Sequence, residues 1–156
     1  MNQETSHMTR QNSALVAYCG LYCGDCIIKK GEIADLSKAL YGKLQKAHLD
    51  RIGPGLAKLL NEFKPLENME LSHSCLKSLS QLRCTRICRQ GGGTAACKIR
   101  ICCQAKHFVG CWECDEFEQC KILSWLEPVN GHAHLKNIRK IKTEGMARFL
   151  RGEKYW

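Results

Sequence analysis

The chain has 156 residues, 44% hydrophobic and 25% charged, with a formal net charge of +9 and twelve cysteines. At this length one compact domain with a real core is expected, and eighteen leucines supply apolar volume without help from metal. No stretch approaches the roughly 20 apolar residues that cross a bilayer, and polar residues 1–13 followed by the short run Ala14 to Ala17 do not read as a signal peptide.

These features predict a cytoplasmic protein without membrane contact, in a compartment where thiols stay reduced and close-spaced cysteines point to metal rather than to disulfides. In chain order, residues 1–13 read as a disordered tail, 14–126 as a cysteine-rich metal-binding domain, and 127–156 as a basic amphipathic helix packed on it. The first cysteine group is Cys19, Cys23 and Cys26. Ile33, Leu36, Leu40 and Leu44 then recur at three- and four-residue steps, which predicts a helix to about Leu49. Gly53-Pro54-Gly55 is expected to break the chain, and a second helix with Leu56, Leu59, Leu60 and Phe63 to end before Pro65. Over residues 72–82, Cys75, Leu76, Leu79 and Leu82 keep near-helical spacing, so Cys75 reads as a small buried apolar side chain.

All cysteines but Cys75 fall in close-spaced groups, and the densest run covers residues 84–120. Cys84 and Cys88 are three residues apart, Cys97 and Cys102 four, and Cys111-Trp-Glu-Cys114 is a C-x-x-C, a spacing that lets two thiolates turn around one ion. Cys120 follows as a further donor. Gly91-Gly92-Gly93 has no lysine and hydroxyl after it as a phosphate loop would, and reads as a flexible connection between two ligand pairs. Lys98, Arg100, Arg83, Arg86, Arg89, Lys106 and Lys121 lie within a few residues of a cysteine, where cations stabilise thiolate. Glu113, Asp115, Glu116 and Glu118 read as a solvated turn, and His132 and His134 as a solvated pair in a loop. From Pro128 on, Leu135, Ile138, Ile141, Phe149 and Leu150 predict a last amphipathic helix opposite Lys136, Arg139, Lys140 and Lys142, with Gly145 a weak point.

The spacing Cys19-x3-Cys23-x2-Cys26 coincides with the cluster motif of radical S-adenosylmethionine enzymes, but the likeness is confined to eight residues and no strand-helix alternation of a barrel follows. Three segments together, Y-C-G-L-Y-C-G-D-C at 18–26, C-K-I-R-I-C at 97–102 and C-W-E-C-D-E-F-E-Q-C-K-I-L at 111–123, resemble the cysteine-rich prokaryotic family called domain of unknown function 3795 over about residues 17–126. The chain departs from that pattern at Ile27, Ile28 and Gln119, and in the Cys84-x3-Cys88 spacing. The resemblance implies a small metal-binding module, zinc being the presumed ion, without an established reaction. Carried over, it implies the ligands Cys19, Cys23, Cys26, Cys84, Cys88, Cys97, Cys102, Cys111, Cys114 and Cys120. Ten thiolates do not divide into tetrahedral sites: two zinc ions leave two thiols spare, and three need further donors from Cys75, Cys103, His73 and His107. The grouping expected first joins Cys84, Cys88, Cys97 and Cys102, and separately Cys111, Cys114 and Cys120 with an N-terminal cysteine.

The expected fold is mainly α with an irregular metal-stabilised cysteine-rich lobe, a small α+β arrangement being the alternative. The expected function is structural zinc binding that presents a surface to a protein or small-molecule partner. Two alternatives stand beside it: an iron-sulfur cluster in electron transfer or redox sensing, and a basic zinc module on nucleic acid. Nothing in the sequence marks an open catalytic site.

Overall fold

The computed structural model describes residues 12–156 and is mainly α. Among the described residues β pairing is limited to one antiparallel bridge, Val16 to Tyr22. No helix among them is long and apolar enough to cross a membrane. Residues 1–11 of the expected tail lie outside the described residues, while 12–14 make a helical turn. The chain divides into two compact units, one of residues 30–84 and one combining the N-terminal segment to Lys29 with residues 85–156.

The 30–84 unit holds α1 (Glu32–Lys46), α2 (Leu49–Leu59), a 3-10 stretch (Asn61–Asn68) and α3 (Met69–Leu79). Its two ends are clasped by Arg83, which donates to Gly31 O at 3.1 Å and pairs with Asp35 in the first turn of α1. This is the work of Arg83, in place of the expected neighbourhood to a thiolate. The predicted apolar stripe does lie on α1, but Ile33, Leu36 and Leu40 are exposed and the helix buries Ala34 and Ser37 instead. Leu40 and Leu44 line an open apolar groove of about 520 Å3 with Leu49, Leu66, Met69, Leu71 and Leu76. Cys75 also lines this groove and is exposed, not the buried residue its spacing suggested.

Gly53-Pro54-Gly55 does not break the chain; it lies inside α2. Pro54 forfeits one helical hydrogen bond, yet the helix continues because tertiary packing requires the backbone there. A Cβ on Gly53 would stand 2.7 Å from Met69 Cγ and 3.3 Å from Leu66 O. Helical structure likewise continues past Phe63 and through Pro65 as the 3-10 stretch.

The second unit centres on Val16, Leu123, Ile138 and Phe149, all essentially without solvent contact. Its helices are α4 (Lys98–Ala105), α5 (Glu127–Asn130), α6 (Ala133–Glu144) and α7 (Met146–Arg151), joined by single 3-10 turns such as Cys88–Gln90 and Cys111–Glu113. The single C-terminal helix expected from sequence is two helices, divided at Gly145, whose φ of +82° ends α6. His134, Asn137, Ile138 and Ile141 form the buried face of α6 at the three- and four-residue steps of an amphipathic helix. His134 is thus a fully buried helical residue, unlike the solvated loop residue expected, whereas His132 stays exposed beside Glu127.

Candidate metal centre

Ten of the twelve cysteines belong to the second unit; Cys75 and Cys84 belong to residues 30–84. No disulfide joins any of the twelve.

The N-terminal loop is positioned by backbone bonds from Ala17 N to Leu21 O (2.8 Å) and Cys23 N to Leu15 O (2.7 Å). Gly20 rests against Ile138 and the His134 carbonyl, which seats the loop on α6. Tyr18 O accepts a hydrogen bond from Cys111 N at 2.8 Å, so the first cysteine group and the C-x-x-C turn are laced directly together. Arg89 completes the junction. It donates to Val16 O (2.8 Å) and Val109 O (2.9 Å), and its guanidinium lies 4.7 Å from the Tyr18 ring centre and 5.8 Å from that of Trp112.

Cys19 lies near enough to Cys88, Cys97 and Cys111 for their charges to act on one another. Burial, opposed in part by a backbone hydrogen bond from Leu21, pushes the Cys19 thiol up to about 12, with Cys88 and Cys97 adding to the rise. Cys88 is also raised, by burial and then by Cys97, against a Tyr18 backbone hydrogen bond and the Arg100 charge. The loop between Cys88 and Cys97 is not the flexible connection its glycines suggested. Arg100, itself 7% exposed, donates to Cys88 O (3.1 Å), Gly92 O (3.0 Å), Thr94 O (3.0 Å) and Ala95 O (2.7 Å). A Cβ on Gly92 would fall 1.9 Å from Arg86 O, so only glycine fits this packed turn.

Cys102, Cys103, Cys111, Cys114 and Cys120 line a second place, a cavity of about 30 Å3 closed by Phe108, Phe117 and Leu123. Cys102, Cys114 and Cys120 also face a wider cleft of about 660 Å3 rimmed by Lys106, Asp115 and Glu118. Cys103 and Cys111 lie behind them, sulfur to sulfur at 3.6 Å. The Cys111 thiol is raised by its contact with Cys103, by burial and by the neighbouring Cys19 and Cys120, whereas Cys103 is lowered chiefly by the same contact, with Arg89 and Lys106 assisting against burial and Glu113.

The expected placement of cations beside thiolates therefore holds for Arg89, Lys106 and Arg100. The acidic turn is more than solvated: Asp115 pairs with Lys142 (2.7 Å), Glu118 with Arg139, and Glu113 accepts from Val109 N (2.6 Å). These bonds fix the turn carrying Cys114 and Cys120 onto α6.

Of the grouping expected from spacing, Cys88 and Cys97 stand together and Cys111, Cys114 and Cys120 share a cavity, with Cys19 acting on Cys88, Cys97 and Cys111, while Cys102 lines the cavity of Cys114 and Cys120. Sequence reasoning left Cys103 outside the ten. Its adjacency to Cys102 on a helix was the available signal, since neighbours on a helix face different directions. Among the described residues no group of three or more His, Cys, Asp or Glu is placed so that it could hold a metal ion. The donor types around the small cavity, five cysteines beside Lys106, are nonetheless those that a soft ion takes.

No curated protein and no solved structure matches the chain. The model of the family described as "Protein of unknown function (DUF3795)" matches residues 15–125, well over half of the 156, and the chain belongs to that family.

Proposed function

We propose that this chain is a zinc protein whose ions hold the second unit together, with cysteine thiolates as ligands. The observation that supports this reading most is the small cavity lined by five cysteines drawn from separate turns and one helix. Burying several thiols side by side gains little by itself, whereas a divalent ion among them displaces their protons and converts the cluster into folding energy. Cys102, Cys111, Cys114 and Cys120 would hold one ion. Cys19, Cys88 and Cys97 would be the core of a second site, to which Cys23 or Cys26 would add a donor.

In an iron-sulfur cubane each cysteine binds a different iron, so its ligands are spread across a larger body than this cavity. A structural ion leaves the surface for a protein or small-molecule partner.

Elemental analysis with an absorption spectrum of anaerobically purified protein tests the proposal. The expected result is a colourless sample with about two zinc ions per chain, each closed by four ligands. A brown sample with iron and labile sulfide, or a folded sample without stoichiometric metal, would overturn it.

A further inference from the structure

Five sulfurs line the small cavity, but a tetrahedral ion takes four. Position narrows the surplus one to the Cys103 and Cys111 pair. Cys102, Cys114 and Cys120 face both the cavity and the open cleft, whereas Cys103 and Cys111 are absent from the cleft wall and touch each other behind it. Cys103 sits on α4 directly after Cys102, is 2% exposed, and has the cationic side chains of Arg89 and Lys106 in its surroundings.

We propose that Cys103 is a redox partner of Cys111, and that forming the Cys103–Cys111 disulfide with a hydroperoxide withdraws Cys111 from the zinc set and releases that ion. The regulatory part of this proposal rests on the zinc reading above; the pairing chemistry does not.

The sulfurs need to close from 3.6 Å to about 2 Å, a side-chain adjustment within one cavity. Other sulfurs line the same cavity, but none of them is in hydrogen-bond contact with Cys103 as Cys111 is. The Cys103 sulfur attacks one peroxide oxygen, the O-O bond breaks, and hydroxide leaves, giving a sulfenic acid. The Cys111 thiolate then attacks the sulfenic sulfur, the S-S bond forms, the S-O bond breaks, and a second hydroxide leaves. Overall two thiols and one hydrogen peroxide give one disulfide and two waters, the peroxide being reduced as the sulfurs are oxidised. When Cys111 starts as a metal-bound thiolate, its missing proton is drawn from solvent. The surplus sulfur thereby becomes the trigger of metal release, where a fully matched four-cysteine site has none.

The experiment treats the full-length purified chain with hydrogen peroxide, follows zinc release with a chromogenic chelator, and maps linked peptides by mass spectrometry without reduction. The expected result is a Cys103–Cys111 linked peptide appearing with the loss of one zinc per chain, both reversed by a dithiol reductant and added zinc. Cys103→Ser should keep that zinc through the same treatment. Cys111 linked chiefly to another cysteine, or equal zinc loss in wild type and Cys103→Ser, would overturn the proposal. Peptide mapping on the wild type needs no variant to fold and decides the pairing by itself. If the purified chain holds no zinc and the linked peptide still forms, the zinc reading and the release step fail while the pairing stands. If zinc is bound and no linked peptide forms, the pairing fails while the zinc reading stands.

Discussion

The sulfur atoms of Cys103 and Cys111, eight residues apart in sequence, meet at 3.6 Å inside the second unit, one from helix α4 and the other from the turn that opens the C-x-x-C. The contact ties two of the cysteine-rich segments to one cavity. It also sets these two thiols apart from Cys102, Cys114 and Cys120, which face outward to a cleft as well as inward.

The guanidinium of Arg100 has no carboxylate partner among its hydrogen bonds; it is solvated by four carbonyls of the Cys88 to Ala95 loop. Arg100→Met should therefore leave those carbonyls unpaired and lower stability by about 3 kcal/mol or more. Arg100→Lys should recover part of this, since it restores the charge without the planar fork that reaches four acceptors. Urea unfolding curves of the three proteins check the order wild type, Lys, Met.

Two adjacent glycines should respond differently to alanine. Gly92→Ala places a methyl 1.9 Å from the Arg86 carbonyl oxygen and must displace backbone, so a loss of about 3 kcal/mol with weaker metal retention is expected. At Gly91 the space is open but φ is +84°, so Gly91→Ala should cost only about 1 kcal/mol. Thermal melting of both variants distinguishes steric from conformational cost.

The direction of pH dependence should report whether metal is bound. In the metal-free chain Cys19 has a folded pKa raised from 9.0 to about 12. Its contribution is complete below pH 9 and lost as pH rises from 9 toward 12, because only the unfolded thiol ionises there. In the zinc-bound chain the same thiol is a thiolate, and stability is lost on acidification as protons displace the ion. Denaturant midpoints should thus fall above pH 9 in the metal-free chain, whereas in the zinc-bound chain they fall on acidification below it.

His134 adds a separate acid limb. It is fully buried, neither ring nitrogen has a hydrogen-bond partner, and burial lowers its pKa below 6.5. The unfolded state binds the proton more tightly, so this contribution is present above pH 6.5 and is lost as pH falls below it. His134→Leu should flatten that limb in metal-free protein without loss of stability at pH 8. A variant retaining the full acid slope would contradict the assignment.

Much of the helical scaffold was legible because apolar periodicity is a local property: the Ile33 to Leu44 stripe and the Ile138 and Ile141 face both fall in helices. What the periodicity could not convey was what covers each face. The α1 stripe lines an open groove, while His134, polar by type, is carried inward with Ile138 by its register on α6. Pro54 read as a breaker because propensity sees only the lost hydrogen bond, whereas the close approach of Gly53 to Met69 and Leu66 is tertiary. Likewise, spacing identified the cysteines as a set but not their grouping. Which thiols share a cavity depends on the Arg89 and Arg100 clasps, whose carbonyl acceptors leave no mark in the sequence.

X-ray absorption at the zinc edge, on the chain as purified under anaerobic conditions, tests the central claim most directly. The account predicts stoichiometric zinc with a single shell of about four sulfurs near 2.3 Å. A first shell dominated by nitrogen or oxygen near 2.0 Å, or a folded chain with no bound zinc, would contradict it.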